Sequence, residues 1–228
     1  MKHNDLKISV LMSTYNNENT VEESVNSILN QTYHNFEFLI MNDGSTDRTA
    51  EILNALKDSR IKIFTNFKNL GLTKSLNILA ENASGTYLAR QDADDVSLRN
   101  RFSQQIKLIE EQNLDIVCSR AFIKNSKRTI PRYKNLISYK ILYKFTNPFI
   151  HGTFIIKKST FYKVGGYNEN FKYAQDYKFM HDAIKNKAKI KIVKKPLYIL
   201  NTENNISSLK KNEQKFYADH VKNDTIPI

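Results

Sequence analysis

Residues 88–97 read LARQDADDVS and place three carboxylates, Asp92, Asp94 and Asp95, within four positions directly after an apolar run. Like charges this close repel one another, so a stable arrangement needs a positive partner among them. Carboxylates one residue apart in an extended turn can face a common cavity. Their oxygens suit a hard divalent ion such as Mg²⁺ or Mn²⁺. An ion held by one or two carboxylates keeps open positions, and a diphosphate is a natural occupant, its charge neutralised as it leaves. The plainer reading is that Asp94, Asp95 and Ser97 cap a helix starting near Leu98. The position after a buried strand favours a division of labour, with Asp95 or Ser97 capping and Asp92 and Asp94 doing chemistry.

The acid cluster is conspicuous because the chain is basic: 35 Lys and Arg face 23 Asp and Glu over 228 residues. The excess is concentrated in the middle. No acid occurs between Asp115 and Glu169, whereas Arg120, Lys124, Arg128, Lys140 and Lys144 all do. Acids followed by a basic stretch read as a site for a metal-bound anion beside a positive surface. The tyrosine-rich segment 119–148 has three readings: an anionic membrane face, a surface for an acidic or lipid-diphosphate acceptor, or a nucleic-acid surface. No nucleic-acid motif, GK[ST] loop or GxGxxG loop is present, so the acceptor or membrane reading is preferred.

The elements that must position these residues alternate. Short, nearly continuous apolar runs begin at Lys7, Phe36, Ile61, Thr86 and Asp115, as strands buried on both faces do. Between them lie helical stripes such as Val21, Val25, Ile28 and Leu29, or Leu72, Leu76, Leu79 and Ala80. Strand–helix alternation implies right-handed crossovers and an α/β fold, a mostly parallel sheet with helices on both faces. GTFIIKKS reads as a further strand, KIKIV and PLYIL as a final pair, and Tyr177, Met180, His181 and Ile184 as a helix. Without a repeat or low-complexity linker, residues 1–228 read as one domain, with halves of about 1–118 and 119–228. Ligands of such sheets bind beyond the carboxyl ends of the strands. There lie Thr14, Tyr15, Asn16 and Asn17; then Asn42, Asp43 and Gly44; then Asn66, Asn69 and Gly71; then the acids. NDGSTD by itself is a strong turn and helix start. The single Cys118 excludes an intrachain disulfide and reads as a core residue. The apolar N-terminal run is too short for a secretory signal, and no run approaches a membrane span. A soluble, cytoplasmic protein is therefore expected, with peripheral contact at the inner membrane face as an option.

Taken in order, ISVLMSTYNNENTVEESVNSILNQTY, FEFLIMNDGSTDRTAEIL, NLGLTKSLN, ASGTYLARQDADD and GGYNENFKYAQDYKF resemble the family 2 glycosyltransferases, which have a GT-A, Rossmann-like fold. The resemblance runs from about Leu6 to Ser207. It implies transfer of a sugar from a nucleotide-diphosphate donor, a UDP-sugar by preference, to an acceptor hydroxyl with inversion. It sets Thr14, Tyr15 and Asn69 in the nucleotide-binding group, Asp43 against the uracil and Lys74 near the base or phosphates. Asp92 and Asp94 become the D-x-D element that holds Mn²⁺ or Mg²⁺, with Asp94 in direct contact. Asp176 becomes the base, because an acceptor hydroxyl must lose its proton as it attacks; the plainer reading of Asp176 is a helix N-cap.

Three positions depart from the family pattern. Gln175 stands where many relatives have Glu, and Leu200 and Thr202 stand where many have Arg and His. His151 is a candidate substrate contact or a buried hydrogen-bonding residue, and His181 reads as structural. The expected task is addition to a bacterial surface glycan or lipid-linked glycan, without nucleic acid as a partner. Two other readings are a sugar-nucleotide pyrophosphorylase, which should carry a glycine-rich N-terminal loop that STYNNEN lacks, and a nucleotide-sugar-binding module without catalysis.

Overall fold

The strands of the first half are apolar on both sides because both sides are covered. A computed structural model describes residues 6–126, 128–131, 139–203 and 210–227. In β1 (Ile8–Thr14), Ile8, Val10 and Met12 face one core while Leu11 faces another. In β2 (Phe36–Asn42), Phe36, Phe38 and Ile40 join the first core, and Leu39 and Met41 the second. This period-2 division assigns the helices to opposite faces of the sheet. The first core receives Val21, Val25 and Ile28 of α1 (Val21–Leu29) and Leu53 of α2 (Thr49–Ala55). It also receives Phe102, Ile106 and Ile109 of α4 (Arg101–Gln112). The second core receives Leu76, Leu79 and Ala80 of α3 (Leu72–Glu81).

β3 (Ile61–Thr65), β4 (Tyr87–Arg90), β5 (Val96–Ser97), β6 (Ile116–Ile123), β7 (Thr129–Ile130), β8 (Ile155–Lys157) and β9 (Ile190–Leu200) complete the sheet. Its order is β3-β2-β1-β4-β8-β6-β9-β5, with β7 paired to β6. The β1–β2, β2–β3, β1–β4 and β6–β9 ladders are parallel; β8, β5 and β7 pair antiparallel. The chain runs outward from β1 through β2 to β3 and then returns to β1's other side as β4. The crevice where the direction reverses is where ligands of such sheets bind. The register deepens it: Arg90 ends β4 opposite Leu11, whereas β1 continues to Thr14 level with Asn42. The acid turn therefore starts below the rim formed by its neighbours.

The remaining helices are α5 (Tyr139–Leu142), α6 (Lys158–Lys163), α7 (Gln175–Lys185) and α8 (Lys211–Lys222), with a one-turn 3₁₀ helix at His151–Thr153. Three expectations change. The fourth helix begins at Arg101 rather than Leu98, because the Leu98 N–H is taken by the Leu197 carbonyl of β9 at 3.0 Å. KIKIV and PLYIL form one strand, not two. A register break opposite Ser119 and Arg120 absorbs Pro196, which has no N–H to offer a ladder. Helix α8 was not expected at all. Cys118 lies in the second core, its thiol pushed up by burial, as a core residue should be.

Candidate active site

The acid turn is built from beneath by two arginines. Arg90 is 1 % exposed; its guanidinium donates to the Leu11 carbonyl at 2.6 Å, to the Gln91 carbonyl at 3.0 Å, and to the Asp92 carboxylate. Arg101, wholly buried, donates to the carbonyls of Gly152 and Arg90 and lies over the Tyr198 ring at 5.3 Å. Part of the positive charge demanded by three clustered acids is thus supplied internally, and Asp92 is already an ion-pair partner. Gln91 fastens the turn: its amide donates to Ser24 Oγ and to the carbonyls of Asp92 and Asp95, and its oxygen accepts from Ser97 Oγ at 2.6 Å. Asp95 is buried and accepts from the Asn201 N–H at 2.7 Å. Burial, then the charges of Asp92 and Asp94, push its carboxyl well up toward the neutral form. Neither Asp95 nor Ser97 caps α4, whose cap position is Asn100; both lock the turn to its neighbours.

That leaves Asp94. Burial and the Asp92 charge raise its carboxyl to about 6, the condition expected of a carboxylate lacking a full cationic partner. Among the described residues no three or more His, Cys, Asp or Glu side chains gather as a metal cage. A hard ion would therefore rest on Asp94, with Asp92 shared between the ion and Arg90, and would keep most of its coordination for ligand and water. The oxygen-only donor set and the uncompensated Asp94 fit such an ion.

The loops after the first three strands are tied together. Asn16 (φ 54°) receives the Thr46 N–H on its side chain at 2.8 Å, and its own N–H goes to Ser45 Oγ at 3.0 Å. The Asn17 N–H goes to Thr49 Oγ1, the Glu18 N–H to Asp47, and the Arg48 N–H to Glu18. Most polar residues of NDGSTD therefore organise the wall. Asp43 does the same for the next loop: its carboxylate accepts from Asn66 Nδ2 at 2.7 Å, Leu70 N–H at 2.9 Å and Gly71 N–H at 2.9 Å. Gly44 (φ +74°) permits the close approach, because a Cβ there would stand 2.6 Å from the Lys68 carbonyl carbon.

Across the crevice stands Asp176, in the first turn of α7 rather than at its cap, which is Ala174. Its carboxyl opens to the cavity but is otherwise enclosed by protein. Burial raises it to about 6, against hydrogen bonds from the Tyr177 N–H and from Asn147 Nδ2 at 2.7 Å. The Asp92 charge adds to the rise, so the two carboxylates share one electrostatic environment. His151 joins the two sides, accepting from Arg90 Nε at 3.2 Å and meeting Tyr167 Oη at 2.7 Å. Burial and Arg90 hold it well below the usual imidazole range, so it is neutral.

One cavity of about 1460 Å³ is lined by Tyr15, Asp43, Asn69, Asp92, Asp94, His151, Gln175, Asp176 and Leu200. Two expected residues stand apart. Thr14 is 2 % exposed and is bonded to Asn17 Oδ1 at 3.0 Å, and Lys74 is exposed; neither lines this cavity. Thr202 is exposed outside it. His181 is half-buried on α7, 3.5 Å from Asp224, in keeping with a structural role. Of segment 119–148, residues 127 and 132–138 lie outside the described residues. None of its described cations lines the cavity; Arg120 donates to Thr129, and Lys124 pairs with Glu23 at 2.9 Å. Sequence reasoning missed Asn147, Tyr167 and the wall formed by α8. Among the described residues, no helix is long and apolar enough to cross a membrane.

Comparison with known proteins agrees with the α/β fold. A family model, glycosyl transferase family 2, matches residues 9–175. An uncharacterized glycosyltransferase of Haemophilus influenzae is 35% identical over 189 residues, covering 75% of this chain and 58% of the relative. The UDP-Glc:α-D-GlcNAc-diphosphoundecaprenol β-1,3-glucosyltransferase WfgD of Escherichia coli is 33% identical over 57% of this chain and 51% of its own. The chain thus spans between half and three fifths of these two relatives. Among solved structures, Staphylococcus aureus TarS with UDP-GlcNAc superposes with a TM-score of 0.75 at 24% identity, over 88% of this chain and 60% of TarS. The mannosyltransferase PcManGT of Pyrobaculum calidifontis, with GDP-Man and Mn²⁺, gives 0.73 at 18% identity, over 96% of this chain and 65% of its own. At these identities the two structures establish the likeness of fold, a GT-A-type α/β architecture.

Proposed function

The chain belongs to glycosyl transferase family 2, and we propose that it moves a sugar from a UDP-sugar to a hydroxyl of a lipid-linked or surface glycan, with inversion. The observation that carries this reading is the pairing, in one cavity, of a buried acid turn with a separate carboxylate, Asp176, tuned to about 6. A base works best when its pKa lies near the working pH, since it is then both ionised and able to hold a proton. Asp176 takes the acceptor's proton, and Asn147 holds its carboxylate on the cavity side. With a single base opposite the acid turn, attack from the face away from the leaving diphosphate inverts the anomeric carbon. A divalent ion on Asp94, when bound, neutralises charge developing on the leaving diphosphate. Arg90, Arg101 and Gln91 hold the turn that presents this carboxylate, and Asp43 shapes the nucleotide side by fixing the loop through Gly71. Two relatives or neighbours carry UDP-glucose or UDP-GlcNAc in their names, which supports a uridine donor here. WfgD's diphosphoundecaprenol acceptor supports a lipid-linked one, which brings the reaction to a membrane surface that the protein meets peripherally.

Calorimetric titration with UDP, GDP and CDP, each with and without Mn²⁺, tests the donor half. The expected result is Mn²⁺-dependent preference for UDP that Asp94→Ala removes. Absence of nucleotide binding under every metal condition would leave the acid turn a structural lock and remove the chemical basis of the proposal.

A further inference from the structure

The acids of the strand ends and the cations of the cavity occupy different walls, while Asp176 and Glu203 line it separately from the strand-end acids. Its acids at the strand ends are Asp43, Asp92, Asp94 and Asp95, whereas its lysines are Lys172, Lys210, Lys215 and Lys222. Three of those four come from the last helix and its cap. Lys210, Gln214, Ala218 and Lys222 recur every four residues along one stripe of α8, with Lys215 beside it. At 1.5 Å per residue the stripe is ~18 Å long, longer than a single diphosphate.

We infer that this stripe is the site for a second anion, a phosphate or diphosphate borne by the acceptor, bound alongside the donor. The inference rests on the glycosyltransferase reading above. An ion held by Asp94 would match the donor's diphosphate at the floor, which would leave the charge of the lysine wall for another ligand. That charge is available. Among the described residues, Lys210 and Lys222 pair with partly exposed carboxylates on their own helix, Glu213 at 3.3 Å and Asp219 at 3.0 Å. Solvent-screened pairs of this kind are weak and exchange readily for a phosphate. Lys215 and Lys172 form no ion pair among the described residues, and a lysine ammonium meets phosphate as an adaptable point charge.

The wall is also rigidly related to the base. The adjoining face of α8 packs Val221 against Phe171, Ala174 and Tyr177, with Tyr217 beside them and Ala218 at the border with the stripe. Ala174 and Tyr177 flank Asp176 in sequence. An anion seated on α8 therefore stands at a fixed offset from Asp176, which orients the acceptor for deprotonation. The basic middle segment, the sequence-level candidate for this task, contributes no cation to the cavity among its described residues.

The test uses the full chain saturated with UDP and Mn²⁺, titrated with inorganic pyrophosphate and with farnesyl diphosphate. It compares wild type, Lys210→Gln/Lys215→Gln/Lys222→Gln, and an equal-charge control, Lys124→Gln/Arg128→Gln/Lys144→Gln. The expected result is diphosphate binding that falls tenfold or more in the α8 variant and less than twofold in the control, with UDP affinity unchanged in both. The substituted side chains are exposed or partly exposed lysines and one arginine, and thermal unfolding checks that both variants fold; single Lys215→Gln should show a smaller loss in the same direction. Equal losses in the two triple variants would mean diffuse charge and overturn the inference. Weakened UDP binding in the α8 variant would assign the wall to the donor and overturn it too. Failure of wild type to bind UDP sinks the proposed function and the second-anion reading with it, whereas UDP binding without diphosphate binding sinks only the latter.

Discussion

Asn147→Leu isolates the hydrogen bond that tunes the base. Leucine nearly preserves volume but removes the Nδ2 donor that lies 2.7 Å from the Asp176 carboxylate. A hydrogen bond to a charged group is worth about 1.5–3 kcal/mol, and 1.36 kcal/mol is one pKa unit, so the carboxyl should rise by roughly one to two units. Starting from about 6, it would come to rest near or slightly above neutrality. At pH 7 the ionised fraction would fall from about nine tenths to between about a half and a tenth, a ~2–10-fold loss of turnover. The sign is specific: the loss must vanish as pH rises, because a less acidic base is still fully ionised at about pH 9 to 10. UDP release from the donor, in transfer or in slow hydrolysis, measured from pH 5.5 to 10 reads the limb directly. Asn147 also accepts the Phe149 N–H at 3.1 Å, so Asn147→Asp serves as a companion that keeps this acceptor. Its added negative charge should move the limb in the same direction. A variant equally impaired at every pH would refute the idea that Asn147 acts through the ionisation of Asp176.

Two further outcomes follow from the same geometry. Asp176→Asn should abolish transfer while leaving UDP affinity within twofold and raising stability. The folded-state carboxyl, near 6 against an ordinary value of 3.8, makes the wild-type fold lose stability as pH rises through that window. Removing the group returns up to ~3 kcal/mol above pH 7, and thermal midpoints at pH 4 and 7.5 give the check: no difference between them would contradict the buried-carboxyl account. Gly152→Ala puts a Cβ 2.7 Å from Asp92 Oδ2 and into the Tyr198 hydroxyl. It should cost about 1–3 kcal/mol and weaken metal-dependent UDP binding at least fivefold, and a variant that unfolds and binds like wild type would show the acid turn to be compliant.

The alternating strands, the helices on both faces and the crevice at the strand ends were readable because each rests on local periodicity. The acid cluster was readable because three like charges in a basic chain demand a cation. The identity of part of that cation was not read, although a signal existed: Arg90 closes an apolar strand, and Arg101 and Gln105 lie on the buried face of α4. A charged residue on an apolar face is a buried counter-ion more often than an accident. Asp43 was expected to meet the uracil; it lines the cavity, and its added task of fixing a loop 23 to 28 residues downstream lay beyond any local pattern. Helix α8 escaped notice because its buried side is narrow, only Val221 being fully enclosed, which leaves its sequence reading as a polar tail.

The acid turn is suspended between two strands of the same sheet, β4 at the centre and β5 hydrogen-bonded to β9 at the far edge. Gln91, Ser97 and Asp95 bolt its middle to its neighbours. A segment anchored at both ends and in the middle cannot close on a ligand without tearing the ladder. Any adjustment of the cavity to a ligand is left to the facing side, where Asn147 and α8 lie, since His151 is itself tied to the acid turn through Arg90. The cavity thus sets a braced turn of acids against a facing wall that carries Asp176 and the lysines, and a ligand has to meet that turn as it stands.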